Sequence, residues 1–220
     1  MQENRIIEKR QLSTNRIVLS FLIATFLFSS GFLLGYVITF QKSDVNSRTQ
    51  DMLRYDILGF QVQNELMKGS CSNLSLVQSS SELNKMRDTM NFLEIRFGKL
   101  DESVLSQKKI YTILQVQHFL LVKEKDSACK TKTPTLLFFY SNIGSYKDSA
   151  EKLGVIIDNI RMKNPDLKVY SFDFDLGSNL IKILKEKYDV TDRNTIVVNE
   201  ETNIVGLKNA DEIEKYLNNA

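Results

Sequence analysis

The sequence is poor in the residues that perform most enzymatic and metal chemistry. It has one histidine, His118, two cysteines, Cys71 and Cys129, and no tryptophan. A zinc site needs several Cys or His ligands at short spacing, and a serine-hydrolase triad needs a histidine together with a nucleophile elbow. The nine glycines are scattered and form no phosphate-binding loop. We therefore expect a structural or surface role for His118, and we predict no cofactor.

Neither sign of charge dominates. The chain has 29 Lys and Arg against 27 Asp and Glu, a net charge of +2, and the two signs are interspersed. Without a basic face, the sequence predicts no nucleic-acid partner. Asp173 and Asp175 could be read as a metal-binding pair, because alternate residues of a strand share a face. Carboxylates at strand ends are more often solvated or cap a helix, so we predict no metal site.

One stretch has no charge at all. Ile17–Phe40 runs for 24 residues without a charged side chain, enough for a helix to cross a hydrocarbon core of about 30 Å. A cleaved signal peptide is the alternative, but its apolar part is usually roughly 7–15 residues long and precedes a small-residue cleavage site. We predict a short tail over residues 1–16 and a retained transmembrane helix over 17–40.

The flanks of this helix differ slightly in basic residues. Four precede it and three follow it: Arg5, Lys9, Arg10 and Arg16, then Lys42, Arg48 and Arg54. This weak bias places the N-terminus in the cytoplasm. Both cysteines follow the span, which fits an oxidising compartment. We predict a single-pass protein of the cell membrane with its C-terminal domain outside the cytoplasm.

Gly31 and Gly35 form a GxxxG pattern inside the span. Small residues at this spacing let two membrane helices approach closely, which favours a homodimer. Glycine is common in membrane helices in any case, so the pattern leaves the oligomeric state open.

Residues 41–133 contain no proline and show helical spacing of apolar residues. We predict about three amphipathic helices, over Gln50–Lys68, from Ser79 to Phe97, and over Ser103–Lys125. Ser79 with Glu82 three residues later is a capping-box pattern, which predicts the start of the second helix. The apolar stripes are expected to bury against one another, against the C-terminal domain or against a second copy of the chain.

Cys71 and Cys129 lie in turn-like sequence near helix ends, where a disulfide is geometrically reasonable. Such a bridge would close a loop of about 60 residues and stabilise by roughly 4 kcal/mol on the loop-entropy model. Two free thiols, or a bond between two chains, are the alternatives. Asn73, in the Asn-Leu-Ser sequon beside Cys71, is a candidate glycosylation site on the predicted outer side.

Residues 134–220 predict an α/β domain with the element order β-α-β-α-β-β-α. The segments are Thr135–Ser141, Tyr146–Lys163, Leu167–Phe172, Leu180–Lys187, Thr195–Asn199, Asn203–Gly206 and Ala210–Asn218. This order and spacing resemble the core of the thioredoxin family. The whole chain is similar to membrane-anchored thioredoxin-like proteins in which a helical segment precedes the core.

The resemblance implies an active site between the first strand and the following helix, and the residues for it are missing. The two cysteines of a C-x-x-C motif would fall near Lys147 and Ala150, within a loop that includes Asn142 and Ser145. The family's cis-proline would fall at Asn194. A cis bond before a non-proline residue costs about 3 kcal/mol, so we expect a trans bond there.

Thioredoxin chemistry requires thiolates, so the sequence predicts a binding or scaffold module with no enzymatic activity. It would act on an unidentified protein partner at the membrane surface. Two alternatives stay open. One is a redox protein that uses Cys71 and Cys129, and the other is a structural subunit of a larger membrane complex.

Overall fold

The computed structural model describes residues 14–67, 71 and 74–218. The chain divides into two compact units, Met1–Arg48 and Thr49–Ala220. The first helix, α1 (Thr14–Met67), begins in the first unit. Its segment Asn15–Val37 has a mean hydropathy of 2.3, and no residue in its most apolar 18-residue stretch is buried. By length and composition this segment can cross a membrane, and its position near the N-terminus also fits a signal sequence.

Gly31 and Gly35 lie in this apolar segment. A methyl group added at either position would meet no atom within 4 Å. Dimerisation through these glycines stays a prediction.

In the second unit, two helices form a hairpin, α2 (Leu74–Phe97) and α3 (Glu102–Cys129). The predicted start of α2 at Ser79 is wrong, because the helix begins five residues earlier. Ser79 lies on its buried face and donates from Oγ to the carbonyl of Leu76 at 3.2 Å. A serine within a helix can form this bond to the preceding turn, so it does not mark a terminus. At the start of α3, Asp101 accepts a hydrogen bond from the Ser103 amide as the N-cap.

The apolar stripe predicted near the end of α1 includes Leu53, Ile57 and Phe60, whose side chains lie outside the described residues. Leu58, Val62 and Leu66 are 61%, 58% and 77% exposed, and Tyr55 is 77% exposed. These neighbouring residues are not buried against the hairpin or the C-terminal domain, and the burial of the stripe itself stays a prediction.

The remaining elements follow the predicted order. They are β1 (Thr135–Tyr140), α4 (Tyr146–Lys163), β2 (Lys168–Asp173), α5 (Asn179–Lys187), β3 (Thr195–Val198), β4 (Thr202–Val205) and α6 (Ala210–Asn218). The strands form one sheet in the order β2-β1-β3-β4. β1 and β2 are parallel, whereas β1 with β3 and β3 with β4 are antiparallel. This topology is thioredoxin-like, so the predicted fold class is confirmed.

Both faces of the sheet are covered, because alternate strand residues point to opposite sides. Leu137, Phe139, Tyr170 and Phe172 pack with residues of α2, α3 and α5 on one face. Leu136, Phe138, Ile196 and Val198 pack with α4 and α6 on the other. A strand buried on both faces reads as a continuous apolar run, which explains the sequence of β1. The hairpin α2–α3 therefore belongs to the same core as the sheet.

Candidate binding site

The loop that replaces an active site joins β1 to α4 at the carboxyl end of the parallel strands. Asn142 is half-buried and donates from Nδ2 to Asp173 Oδ2 at 3.1 Å. Ser145 and Lys147 are exposed, and Ser145 forms no side-chain capping bond to α4. Ala150, on the buried face of α4, is only 6% exposed and packs in the core between α4 and the sheet. Of these four sequence-predicted residues, Ser145 and Lys147 are thus the most accessible to a partner.

Asn194 precedes β3 and is buried, with a φ of 57°. Its Oδ1 accepts from the Ser141 amide at 3.0 Å, while its Nδ2 donates to the Tyr146 carbonyl at 2.9 Å and to Ser149 Oγ at 2.6 Å. The described residues contain no cis peptide bond. The side chain of Asn194 therefore ties the β3 entry to both sides of the Asn142–Ser145 loop, and this position carries a structural amide.

An ion pair lies beside this loop. Arg193 Nη2 contacts Asp175 Oδ1 at 2.6 Å, and Ser141 donates from Oγ to Asp175 Oδ2 at 2.6 Å. Burial alone would raise the pKa of the Asp175 carboxyl, but the hydrogen bonds from Arg193 and Ser141 outweigh it and lower the pKa. The guanidinium also lies 5.3 Å from the ring centre of Tyr146, within cation–π range. These contacts hold the exposed Tyr146 at the rim of the loop.

A second charged cluster lies in the interior and was not found from the sequence. Lys108 of α3 is nearly buried, and its Nζ contacts Glu94 of α2 at 2.8 Å and Asp173 of β2 at 3.1 Å. The same ammonium lies 5.7 Å from the ring centre of Tyr140. Burial first, then Asp173 and Glu94, raise the pKa of the Tyr140 hydroxyl. Asp173 and Asp175, which the sequence suggested as a possible metal-binding pair, thus bind different cations: Asp173 contacts Lys108, and Asp175 contacts Arg193.

Lys108 belongs to a polar row on the buried side of α3 that a periodicity argument could have found. The other members are Thr112, Gln115 and His118, all almost fully buried. Gln115 pairs with the edge strand, because its Oε1 accepts from the Ser171 amide at 2.8 Å and its Nε2 donates to the Ser171 carbonyl at 3.0 Å.

His118 lies deeper in the same row. Its Nδ1 shares a hydrogen bond with the Tyr170 hydroxyl at 2.7 Å, and its Nε2 shares one with Ser80 Oγ at 2.9 Å. Burial, with a contribution from the charge of Lys168, lowers the pKa of His118 from 6.5 to about 4. The ring is therefore neutral at physiological pH and links α2, α3 and β2, a structural role.

The two cysteines are joined. Cys71 and Cys129 form a disulfide with a Cα–Cα distance of 5.6 Å, which connects the segment before α2 to the last residue of α3. Cys71 is exposed. The neighbouring candidate glycosylation site, Asn73, lies outside the described residues.

A groove of about 690 Å³ separates the hairpin from α4 along the edge strand β2. Residues of α2, α3 and α4 form its walls, and Tyr140 and Tyr170 of the sheet contribute to its floor. It could not be predicted from the sequence, since its walls come from elements far apart in the chain.

Comparison with known proteins adds little to this description. No protein-family model matches the sequence, and no curated protein matches it significantly. Among solved structures, thioredoxin O2 from Arabidopsis thaliana in its oxidised state is similar, with 17% identity and a TM-score of 0.34. The match covers 40% of this chain and 75% of that chain. The strand order and pairings define the fold independently of this likeness.

Proposed function

We propose that the protein is a single-pass membrane protein whose thioredoxin-like domain binds a protein partner outside the cytoplasm and performs no thiol–disulfide exchange. The apolar and unburied segment Asn15–Val37 supports the membrane anchor. The disulfide between Cys71 and Cys129 supports an oxidising compartment.

The observation that supports the absence of catalysis is that the Asn142–Ala150 loop contains no thiol and that Asn194, at the position of the family's cis-proline, is bonded to both sides of it. Thiol–disulfide exchange needs one thiolate that attacks and one that leaves, and no cysteine occurs in residues 134–220. The buried amide of Asn194 instead bonds to Ser141, Tyr146 and Ser149. Such a network fixes the loop as a rigid surface, which favours binding because little loop entropy is lost.

The partner surface is the rim formed by the Ser141–Ser145 loop and the Asp192–Thr195 segment. Ile143 and Tyr146 are 48% and 44% exposed, and the Tyr146 ring lies 5.3 Å from the Arg193 guanidinium. An aromatic ring with an arginine is a common centre of a protein interface.

The catalytic half of the proposal is tested with the full chain in mild detergent. We expect no insulin reduction, no oxidation of a dithiol peptide and no isomerisation of scrambled disulfides above background. Activity that disappears in the Cys71→Ser/Cys129→Ser variant would establish the redox alternative. Activity that survives in that variant would contradict the whole assignment.

The binding half is tested by placing a photo-crosslinking amino acid at Ile143 in intact membranes. Val155 on α4, which is 63% exposed, provides the matched control. We expect a discrete adduct with one protein from Ile143 and none from Val155. No adduct, or the same adducts from both sites, would refute the rim as the partner surface.

A further inference from the structure

The part of α1 that belongs to the second unit has apolar residues at alternating spacings of three and four. They are Met52, Tyr55, Gly59, Val62 and Leu66. In a heptad written abcdefg, the first, third and fifth of these occupy position a, and the other two occupy position d. Apolar residues at a and d are the pattern by which helices pair in a coiled coil. We call these five residues the α1 seam.

The α1 seam is exposed where the structure describes it. Tyr55, Val62 and Leu66 are all more than half exposed, and a methyl group added at Gly59 would meet no atom within 4 Å. The side chain of Met52 lies outside the described residues. Single exposed apolar residues are ordinary, but a row of them along one side of a helix marks an interaction surface.

The spacing and the position of the seam in α1 identify its occupant. A strict seven-residue repeat suits another helix better than a sheet or loop. The seam follows Asn15–Val37, the segment that can cross a membrane, in the same helix. Counting back by sevens from Met52 gives Val45, Ile38 and Gly31. Two copies anchored in one membrane present this helix in the same direction and at the same depth, as a parallel coiled coil requires.

The α1 seam alone is too short to hold two free molecules together. It covers just over two heptads, and isolated helices of about 12–15 residues are only marginally stable in water. Asp51 and Asp56 flank it at positions g and e, where they would face each other between two parallel copies, and like charges weaken such a pairing. A shared membrane compensates, because tethered helices meet at a far higher effective concentration than free ones.

We propose that a second copy of this chain covers the α1 seam, so that two anchored chains pair there as a parallel coiled coil. This pairing rests on the membrane anchor of the proposed function and is independent of partner binding at the Ser141–Ser145 rim. The resulting assembly has two rims, and a partner with two matching sites binds to it more tightly than to one rim.

Cysteine cross-linking in native membranes tests the pairing. Val62→Cys places a thiol in the seam, and Gln61→Cys, at an exposed position outside it, is the matched control. The two native cysteines are bonded to each other, so the introduced thiol is the single free one. Each full-length variant is produced with two different epitope tags in the same cells, and the membranes are treated with a mild oxidant.

We expect a disulfide-linked product that carries both tags, at least about fivefold more abundant for Val62→Cys than for Gln61→Cys, because a and d positions approach most closely. Equal yields from the two variants would indicate random collision. A product in which a different protein replaces the second tagged copy would identify another occupant. Either result, or no product at all, overturns the proposal.

Substitutions in the seam test its strength, with Leu66→Cys as the reporter of cross-linking. Val62→Glu should lower the yield at least about fivefold, whereas Gln61→Glu, which adds the same charge outside the seam, should leave it unchanged. Gly59→Ile should raise the yield above that of Gly59→Ala, although alanine is the better helix former, because isoleucine fills position a. Misfolding cannot produce such a gain. Equal effects of the two glutamates, or a lower yield for Gly59→Ile than for Gly59→Ala, would refute the seam.

Carbonate extraction of the same membranes separates this proposal from the proposed function. A chain that stays in the membrane fraction and gives no cross-link through Val62→Cys overturns the dimer alone. A chain that is washed off overturns the anchor and the dimer with it. Cross-linking through Val62→Cys without any adduct at Ile143 overturns the partner rim and leaves the dimer standing.

Discussion

The neutral, buried His118 should make the protein measurably less stable in mild acid. In the unfolded chain its pKa is about 6.5, whereas burial lowers the folded value to about 4. The folded pKa lies below the unfolded one, so the unfolded chain binds the proton more readily. The stability associated with neutral His118 is therefore present above pH 6.5 and lost as the pH falls toward 4.

The size of the effect follows from the two pKa values. Each pH unit in this window costs up to about 1.4 kcal/mol, so the loss between pH 7 and pH 5 is about 2 kcal/mol. A protein of this kind is stable by only about 5–15 kcal/mol in total. The shift is thus large enough to measure by chemical denaturation.

The control is His118→Gln, which keeps a hydrogen-bonding side chain but cannot titrate in this range. We expect denaturation of the full chain in nonionic detergent to show that the stability difference between wild type and variant falls by about 2 kcal/mol from pH 7 to pH 5. Carboxylates titrate alike in both proteins and cancel. NMR of the imidazole should give a midpoint near pH 4. A midpoint near 6.5, or the same pH dependence in both proteins, would show that His118 is solvated and that the packing around Tyr170 and Ser80 is wrong.

Three further predictions concern other parts of the chain. Lys108→Met should lower the free energy of unfolding by about 3 kcal/mol, because it leaves the buried Asp173 and the partly buried Glu94 without a cation. Adding Glu94→Gln and Asp173→Asn should restore most of this loss, and a loss below about 1 kcal/mol would show that the cluster is hydrated. Cys71→Ser should cost about 4 kcal/mol, and non-reducing peptide mapping should find Cys71 and Cys129 linked within one chain; full maleimide labelling of both thiols without reductant would contradict this. Protease added to intact cells should digest the chain beyond the predicted membrane helix, and full protection of the C-terminal domain would reverse the proposed orientation.

The fold could be predicted from the sequence because its signals are local. The bounds of α4 and α6 match the predicted Tyr146–Lys163 and Ala210–Asn218, since each helix alternates apolar and charged residues at helical spacing. The start of α2 was predicted wrongly because Ser79 has a side chain that often caps a helix. In the structure Ser79 lies inside the helix and is buried.

The interior polar contacts could not be predicted in the same way. Lys108 and Asp173 are separated by 65 residues, and nothing local to either indicates that they meet. In sequence, Lys108 reads as a solvated lysine next to Lys109. Its partners become evident only when the hairpin is placed against the end of β2. The groove between the hairpin and α4 could not be predicted for the same reason, since its walls come from helices that are far apart in the sequence.

The pairing of Gln115 with Ser171 also bears on how this domain behaves when it is crowded. A sheet with open edges can join the sheets of neighbouring molecules, which is a route to aggregation. Here the Gln115 amide stands in for the next strand at the centre of β2, and the opposite edge, β4, is only four residues long. Proteins held together on a membrane meet far more often than proteins in free solution. Gln115 should therefore contribute more to keeping such molecules separate than to the stability of any one of them.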